Sequence, residues 1–464
     1  MYLLNLQSQG AVRLRKFINL VKNEYTKMFS KVSTWVLIGM MLIVSVGCSV
    51  LALIGEHTVN TYLGGRTDSE CVEYYKSEID YLKEVKTENW EQEAEKYQYK
   101  LDNKIYEDDW RNEACYLYFD SKNDTSVPQD IINEMDNGIK NNDWKKFFES
   151  ALSLSDRLSE ADKNIYRYCI DNNVSPSSDN WKYSVVSSLE NAKASLAEMD
   201  NAKENGGEVD TLQYEELSKE VQLYQYRLDN NVSYDISENY SWMETSKFDF
   251  WNVFGSSTAV VSIIGVIIII ISGGIVSSEF STGTIKFLLI NPVKRWKILA
   301  SKYFTSISFG YVLIFAAYLI TMLATMVMFG ADNLSASYLS ISGDTVTSIS
   351  GFLYVFLQFM LSSVEMIVMA TLAFAISSLA RSSALAIGVS VMAYVGGNTI
   401  VLFLQQLNFD WGRYLIFSNL SLADTLSGST GFAGQTIMFN LVVIAVHMVV
   451  FILTAWDGFI RREV

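Results

Sequence analysis

Read for hydrophobic and polar positions, the chain contains two kinds of text. Six stretches are apolar almost without interruption: Thr34–Gly55, Phe250–Val276, Tyr303–Phe329, Gly351–Leu379, Ala384–Leu404 and Thr436–Trp456. The second includes the run VIIIIIS. Each has about 20 residues or more, enough to cross about 30 Å of hydrocarbon at 1.5 Å per residue. Lipid offers the backbone no hydrogen-bond partners, so each stretch is predicted to be a transmembrane helix. A buried core helix is the competing reading, but it usually needs fewer residues. More than thirty residues precede the first stretch and no A-x-A-like site follows it, so a cleaved signal peptide is not expected.

The long polar segment, residues 56–249, has another rhythm. Val72, Tyr75, Ile79 and Leu82, then Tyr97, Leu101 and Ile105, recur at helical spacing. Three copies of one phrase stand out: YQYKLDNKI at 97–105, YRYCIDNNV at 166–174 and YQYRLDNNV at 224–232. The first tyrosine and the leucine or isoleucine share a helix face, and the Asp-Asn pair predicts a helix end. Helix starts are marked by Asn89-Trp90, Asp109-Trp110, Asp143-Trp144 and Asn180-Trp181, a capping residue before a tryptophan. The segment is expected to stack as helical hairpins, its aromatics forming a core; the alternative is an aromatic ligand-binding face. The copies are 69 and 58 residues apart, which disfavours a regular solenoid.

Charge orients the chain. Arg13, Arg15, Lys16, Lys22, Lys27 and Lys31 precede the first span, and Lys286, Lys294, Arg295, Lys297 and Lys302 lie between the second and third. Arg381 follows the fourth, and Arg461 and Arg462 follow the sixth. By the positive-inside rule these segments and both termini are cytoplasmic, and 56–249 is extracellular. That segment carries 21 basic and 42 acidic residues, a net −21, while the remainder carries 15 and 9, a net +6. The acidity is therefore a property of the external domain and argues against nucleic acid as a partner. Cys71, Cys115 and Cys169 fall outside the membrane, leaving open one disulfide or free thiols. No metal-ligand spacing occurs.

Four further segments carry candidate chemistry. Val12–Lys31 sets Leu14, Phe17, Ile18, Val21, Tyr25 and Met28 against a basic face, an interfacial helix for the inner leaflet and its lipids. Glu365 and His447 sit near the middles of the fourth and sixth spans, where an ionisable group costs at least about 2.5 kcal/mol. They are candidates for an intramembrane substrate site or for helix packing. Gly396-Gly397-Asn398 interrupts the fifth span, and Leu407–Gly434 has an interfacial, re-entrant character. Glu279–Leu299, EFSTGTIKFLLINPVKRWKIL, predicts a short apolar helix after a flexible entry, ended at Asn291 before Pro292. Asn291 would cap the next helix, with Pro292 at its first position.

The last stretch follows E-(x)3-G-T-I-K-x-L-L-x-x-P-x-x-R-x-x-I-L-x-x-K, carried by Glu279, Gly283, Thr284, Ile285, Lys286, Leu288, Leu289, Pro292, Arg295, Ile298, Leu299 and Lys302. It resembles the coupling loop of type-2 ABC exporter permeases. Arg13–Trp35 is similar to that family's amphipathic elbow helix, and the terminal FIRREV and the six spans also fit. The large external domain resembles that of the larger Gram-positive members.

The resemblance implies an all-α membrane protein: cytoplasmic elbow 1–33, span 34–55, extracellular domain 56–249, span 250–276, coupling loop 277–302, spans three to six within 303–456 with the external loop 407–434, and tail 457–464. It also implies a non-enzymatic permease subunit, paired with a second permease copy or paralogue, driven by a separate ABC ATPase that holds ATP and Mg. The chain has no G-x-x-x-x-G-K-[ST] phosphate loop of its own. The expected substrate is an amphipathic peptide, lipophilic antibiotic or lipid. A sensor or mechanotransmission protein working through the external domain, a membrane anchor, and a sodium-efflux permease are the alternatives.

Overall fold

The computed structural model describes residues 2–62, 65–86, 89–177, 179–207, 209–237, 248–285, 293–342, 345–426, 431–432 and 434–461. It is an all-α membrane protein with one short β-hairpin, and its chain divides into two units. The membrane unit comprises Met1–Gly55, Lys247–Asp332 and Phe352–Val464. The polar unit comprises Glu56–Ser246 and Asn333–Gly351.

Six helices of the membrane unit are long and apolar enough to span a bilayer: Val32–Val59, Phe250–Ser281, Arg295–Phe329, Gly351–Ala380, Ser383–Gln406 and Ile437–Arg461. The second is not one continuous α-helix. It runs Phe250–Ser256, passes through a tight turn at Ser257–Ala259, and continues as Val260–Ile275 and Ser277–Ser281. Ser256 and Ser257 bond back to the carbonyls of Val253 and Phe254 at 3.0 and 2.6 Å, which competes with the helical ladder where it tightens. The third span begins at Arg295, with Lys294 in extended conformation before it. This corrects the expected start at Pro292: Val293 and Lys294 are not helical, and Asn291 and Pro292 lie outside the described residues.

Without a hydrophobic drive inside lipid, close approach and hydroxyl bonds hold such helices together. A Cβ on Gly310 of the third span would meet Met366 Sδ of the fourth at 2.8 Å. Ser49 and Thr325 join the first and third spans at 3.0 Å, Tyr303 and Thr371 the third and fourth at 2.9 Å, and the Ser277 N–H reaches Ser377 Oγ at 3.0 Å. Val36, Ile43, Leu51, Val395, Met392, Val446 and Leu453 stay exposed, as lipid-facing side chains must.

The polar unit bears out the boundary signals. Helices begin at Trp90, Trp110, Trp144 and Trp181, and Asp109, Asp143 and Asn180 each accept a first-turn N–H. Asn89 instead adopts a left-handed conformation and its side chain caps nothing. In the repeated phrase the left-handed residue is the one after Asp-Asn: Lys104, Asn173 and Asn231. The next N–H then returns to the carbonyl five residues back, Ile105 to Lys100, Val174 to Cys169 and Val232 to Arg227, each at 2.9 Å. That is the Schellman closure, and it buries Ile105 and Val174 in the core.

The core gathers Ile105, Cys115, Met135, Ile139, Phe147 and Cys169. Phe148 stacks on Tyr166 with ring centroids 4.0 Å apart. The aromatic positions are therefore packing residues here. All three cysteines are buried free thiols. Burial pushes the Cys115 thiol up to about 11 and the Cys169 thiol up to about 12. Both are thus protonated at neutral pH and shielded, so iodoacetamide at pH 8 is expected to leave them unmodified until a denaturant is added; peptide mass mapping before and after unfolding checks this.

The sequence reading missed the hairpin. Ser337–Ser342 and Thr345–Ser350 pair antiparallel, with Tyr338 opposite Ile349 and Ile341 opposite Val346. These residues connect the third and fourth spans yet belong to the polar unit, not to the block 303–456. The clasp is Asp235, 2% exposed, whose carboxylate accepts the Leu339 N–H at 3.1 Å and the Ser237 N–H at 3.0 Å. Nothing local in the sequence of 337–350 identifies a partner a hundred residues away.

Candidate functional site

The N-terminal helix, Tyr2–Phe29, puts Glu24 and Lys27 three residues apart and therefore on neighbouring positions of one face. The second span ends at Ser277–Ser281 and presents Glu279 there. Lys302 stands two turns into the third span. The fold brings these three elements into one buried charge cluster. Lys302 Nζ donates to Glu24 Oε2 at 2.8 Å and to Glu279 Oε1 at 3.0 Å. Lys27 Nζ donates to Glu279 Oε1 at 2.9 Å and lies 3.7 Å from Glu24 Oε1. Thr284 Oγ1 donates to the other oxygen of Glu279.

Lys302 is 1% exposed, Glu24 6% and Glu279 7%, so these charges are out of water and depend on one another. Burial alone would lower the Lys27 pKa; its hydrogen bond to Glu279 and the charges of Glu24 and Glu279 outweigh this and hold it above the ordinary lysine value. Two carboxylates and two ammonium groups balance, which is why the cluster can exist at low dielectric.

The cluster fixes the entry to the segment that follows Glu279. Gly283 has φ +73°, a left-handed conformation, and open space lies where a Cβ would stand. Glycine is needed there for backbone freedom, not for room. It turns the chain so that Thr284 reaches back to Glu279 and Ile285 enters the membrane unit. Ile285 is buried with Val276, Ile298, Leu299, Phe374 and Phe459. It is an anchor on its own bundle. Arg295 Nη1 lies 3.5 Å from the Ile460 carbonyl, which ties the start of the third span to the tail. Arg381, in the turn after the fourth span, lies over the Phe280 ring at 4.6 Å. Lys286, Leu288, Leu289 and Pro292 lie outside the described residues.

Of the predicted coupling residues, Glu279, Gly283, Thr284, Ile285 and Arg295 therefore gather at one end of the membrane unit. Glu365 and His447 do not join them. Glu365 stands at the midpoint of the fourth span, half-buried, with Tyr394 of the fifth span as its electrostatic neighbour. His447 Nδ1 lies 2.9 Å from the Val443 carbonyl of its own helix, and its ring meets Phe451 edge-on at 6.2 Å. That is the environment of a packing residue.

The sequence reading missed Glu24 and Lys27 as site residues and counted Lys302 only within the motif. A signal was present. Glu24 is the one acidic residue before the first span, and Glu279 is the one acidic residue between Phe250 and Ala331. A lone acid among basic neighbours beside a membrane calls for a partner.

Among curated proteins, the chain is similar to the "Uncharacterized protein YhcI" of Bacillus subtilis (strain 168), 30% identical over 246 residues, 53% of this chain and 75% of the relative. It is 33% identical over 197 residues to the "Uncharacterized membrane protein YdbK" of the same organism, 42% of this chain and 76% of that one. No solved structure matches. Residues 221–464, more than half of the chain, match one family model. The chain belongs to that family, described as "Protein of unknown function (DUF2705)".

Proposed function

We propose that the protein is the permease subunit of an ATP-driven exporter, energised by a separate ABC ATPase. The observation that carries this reading is the buried ion cluster. Glu279 begins the coupling stretch, and it is clamped between Lys27 of the elbow and Lys302 of the third span. A push on the segment after Gly283 therefore reaches two helices through charges that cannot be separated cheaply. An ordinary cytoplasmic loop has no use for such a clamp. In this reading both termini and the cluster face the cytoplasm, as the basic flanks indicate, and the polar unit lies outside the cell. The ATPase, holding ATP and Mg, docks on the stretch around Leu288 and Leu289, and a second permease copy or paralogue completes the path. The cargo is an amphipathic peptide, lipophilic antibiotic or lipid.

Leu288→Asp is expected to abolish co-purification with the ATPase while leaving the chain inserted. An affinity pull-down from membranes, with the unaltered chain as control, reads this; an unchanged ATPase yield would sink the docking assignment.

One observation favours a second reading, a sensor in which the ATPase moves the external domain without transport. Besides residues 56–246, the polar unit includes 333–351, so four of the six spans run directly into it. Accumulation of substrate inside inverted vesicles separates the two readings.

A further inference from the structure

Along the fourth span, Tyr354, Gln358, Ser362 and Glu365 fall within an arc of about 80° at the helical 100° per residue. All four are half-buried, whereas the adjacent face, with Val355, Phe359 and Met366, is packed inside the bundle, and one turn beyond Glu365 the stripe closes on buried Met369. Gln358 Nε2 donates to the Tyr354 hydroxyl at 3.0 Å. The result is a polar ladder that starts near the N-terminal end of the span and ends on a carboxyl group at its midpoint. Tyr394 of the fifth span, Glu365's electrostatic neighbour, donates its hydroxyl to the Ser262 carbonyl at 3.2 Å. Its ring is thus held by the second span.

Glu365 makes no hydrogen bond or ion pair with any described residue. The spanning helices place no Lys or Arg at that depth, and His447 of the sixth span is turned to the Val443 carbonyl and the Phe451 ring of its own helix. Val32–Val59, Phe250–Ser281, Gly351–Ala380 and Ser383–Gln406 contain no Lys or Arg, and the sixth span has one only at its last residue, Arg461. The third span has Arg295, Lys297 and Lys302 in its first eight residues, and Lys302 is committed to Glu24 and Glu279. A second copy packed symmetrically over the stripe would bring another Glu365 and again no Lys or Arg at that depth, so it does not neutralise the site either.

We infer that this stripe is a binding site for a lipophilic organic cation, an amphiphile bearing positive charge beside apolar surface. The carboxylate of Glu365 supplies the counter-charge, Gln358 and Ser362 supply polar contacts along the approach, and the Tyr354 and Tyr394 rings supply cation–π surface. As a statement about cargo it rests on the exporter reading; as a statement about binding it does not.

The test is equilibrium binding to the full chain in lipid nanodiscs, with neither ATPase nor nucleotide. The probes are tetraphenylphosphonium and tetraphenylborate, ions of like size and opposite charge. Tetraphenylphosphonium is expected to bind saturably, Glu365→Gln to weaken it at least about tenfold, and Glu365→Asp to keep affinity within about threefold. Gln358→Leu, an apolar change suited to a membrane helix, is expected to weaken it about threefold, which keeps the test alive if Glu365→Gln is lost from the membrane.

Equal affinity for the two ions would overturn the inference. So would an unaltered tetraphenylphosphonium affinity in Glu365→Gln, the result expected of a protonated packing group or a face covered by a second copy. Loss of cation binding alongside an intact ATPase pull-down would sink the cargo class and leave the exporter standing. Charge-selective binding without ATPase capture would keep the site and sink the exporter.

Discussion

Lys302→Met is expected to be the most damaging single change in the membrane unit. Lys302 bridges Glu24 at 2.8 Å and Glu279 at 3.0 Å and is 1% exposed. Methionine fills the aliphatic volume but leaves two carboxylates facing each other, with only the half-exposed Lys27 to serve both. Removing one partner of a buried pair typically costs about 3–5 kcal/mol. A large drop in the melting temperature of the detergent-solubilised chain is the readout. A compensated variant distinguishes electrostatics from packing. Adding Glu24→Gln and Glu279→Gln to Lys302→Met removes both carboxylates and leaves only the half-exposed Lys27 charged, in reach of water, and is expected to restore most of the lost stability, because no carboxylates remain to repel. If the exporter reading holds, that triple variant folds yet no longer conveys ATPase movement to the elbow and third span. Its substrate-stimulated ATP hydrolysis would be lost while ATPase capture persists. A triple variant as unstable as Lys302→Met alone would show that shape, not charge, governs this junction.

Phe147→Ala should do comparable damage to the polar unit. Phe147 is fully buried, and its ring lies 5.7 Å from Trp110 and 6.3 Å from Phe148. Its backbone is equally confined, since a Cβ on Gly138 would meet it at 3.0 Å. Nothing so constrained can collapse into the space a phenyl ring leaves, so the loss is expected near about 3–5 kcal/mol. Protease sensitivity of the intact chain in nanodiscs reads the effect. Fragments should appear from cleavage within residues 65–237, with the membrane spans retained. A variant as resistant as the unaltered chain would mean that this aromatic cluster is not the core of the unit. The same experiment bears on function. If transport requires the polar unit, Phe147→Ala abolishes it without altering ATPase capture.

Both predictions rest on residues whose importance the sequence expressed unequally. Phe147 belongs to a helix whose start, Asp143-Trp144, was legible, and the structure puts it with Ala151 on the buried face of that helix. Glu279 was legible as the first residue of a motif. Its meaning was not, because its partners lie 252 residues before it and 23 residues after it. Periodicity specifies which face of a helix is apolar. It does not specify which other helix that face meets, and an ion pair is a statement about two helices. The start of the third span was misjudged for a related reason: Asn-Pro is a good local signal for a helix start, but Val293 and Lys294 are not helical and Arg295 begins the span.

By itself, the order of residues determined the class of this protein and the starts and ends of many of its helices. Long apolar runs must be helices in lipid because the bilayer leaves backbone groups no other partner, and capping residues and left-handed asparagines mark helix ends through contacts a few residues long. Tertiary structure alone decided that Glu24, Lys27, Glu279 and Lys302 form one cluster, that the 337–350 hairpin joins the polar unit through Asp235, and that the fourth span keeps a polar stripe half open. Those are contacts between segments far apart in the chain, set by shape and charge balance in three dimensions, and no local pattern encodes them.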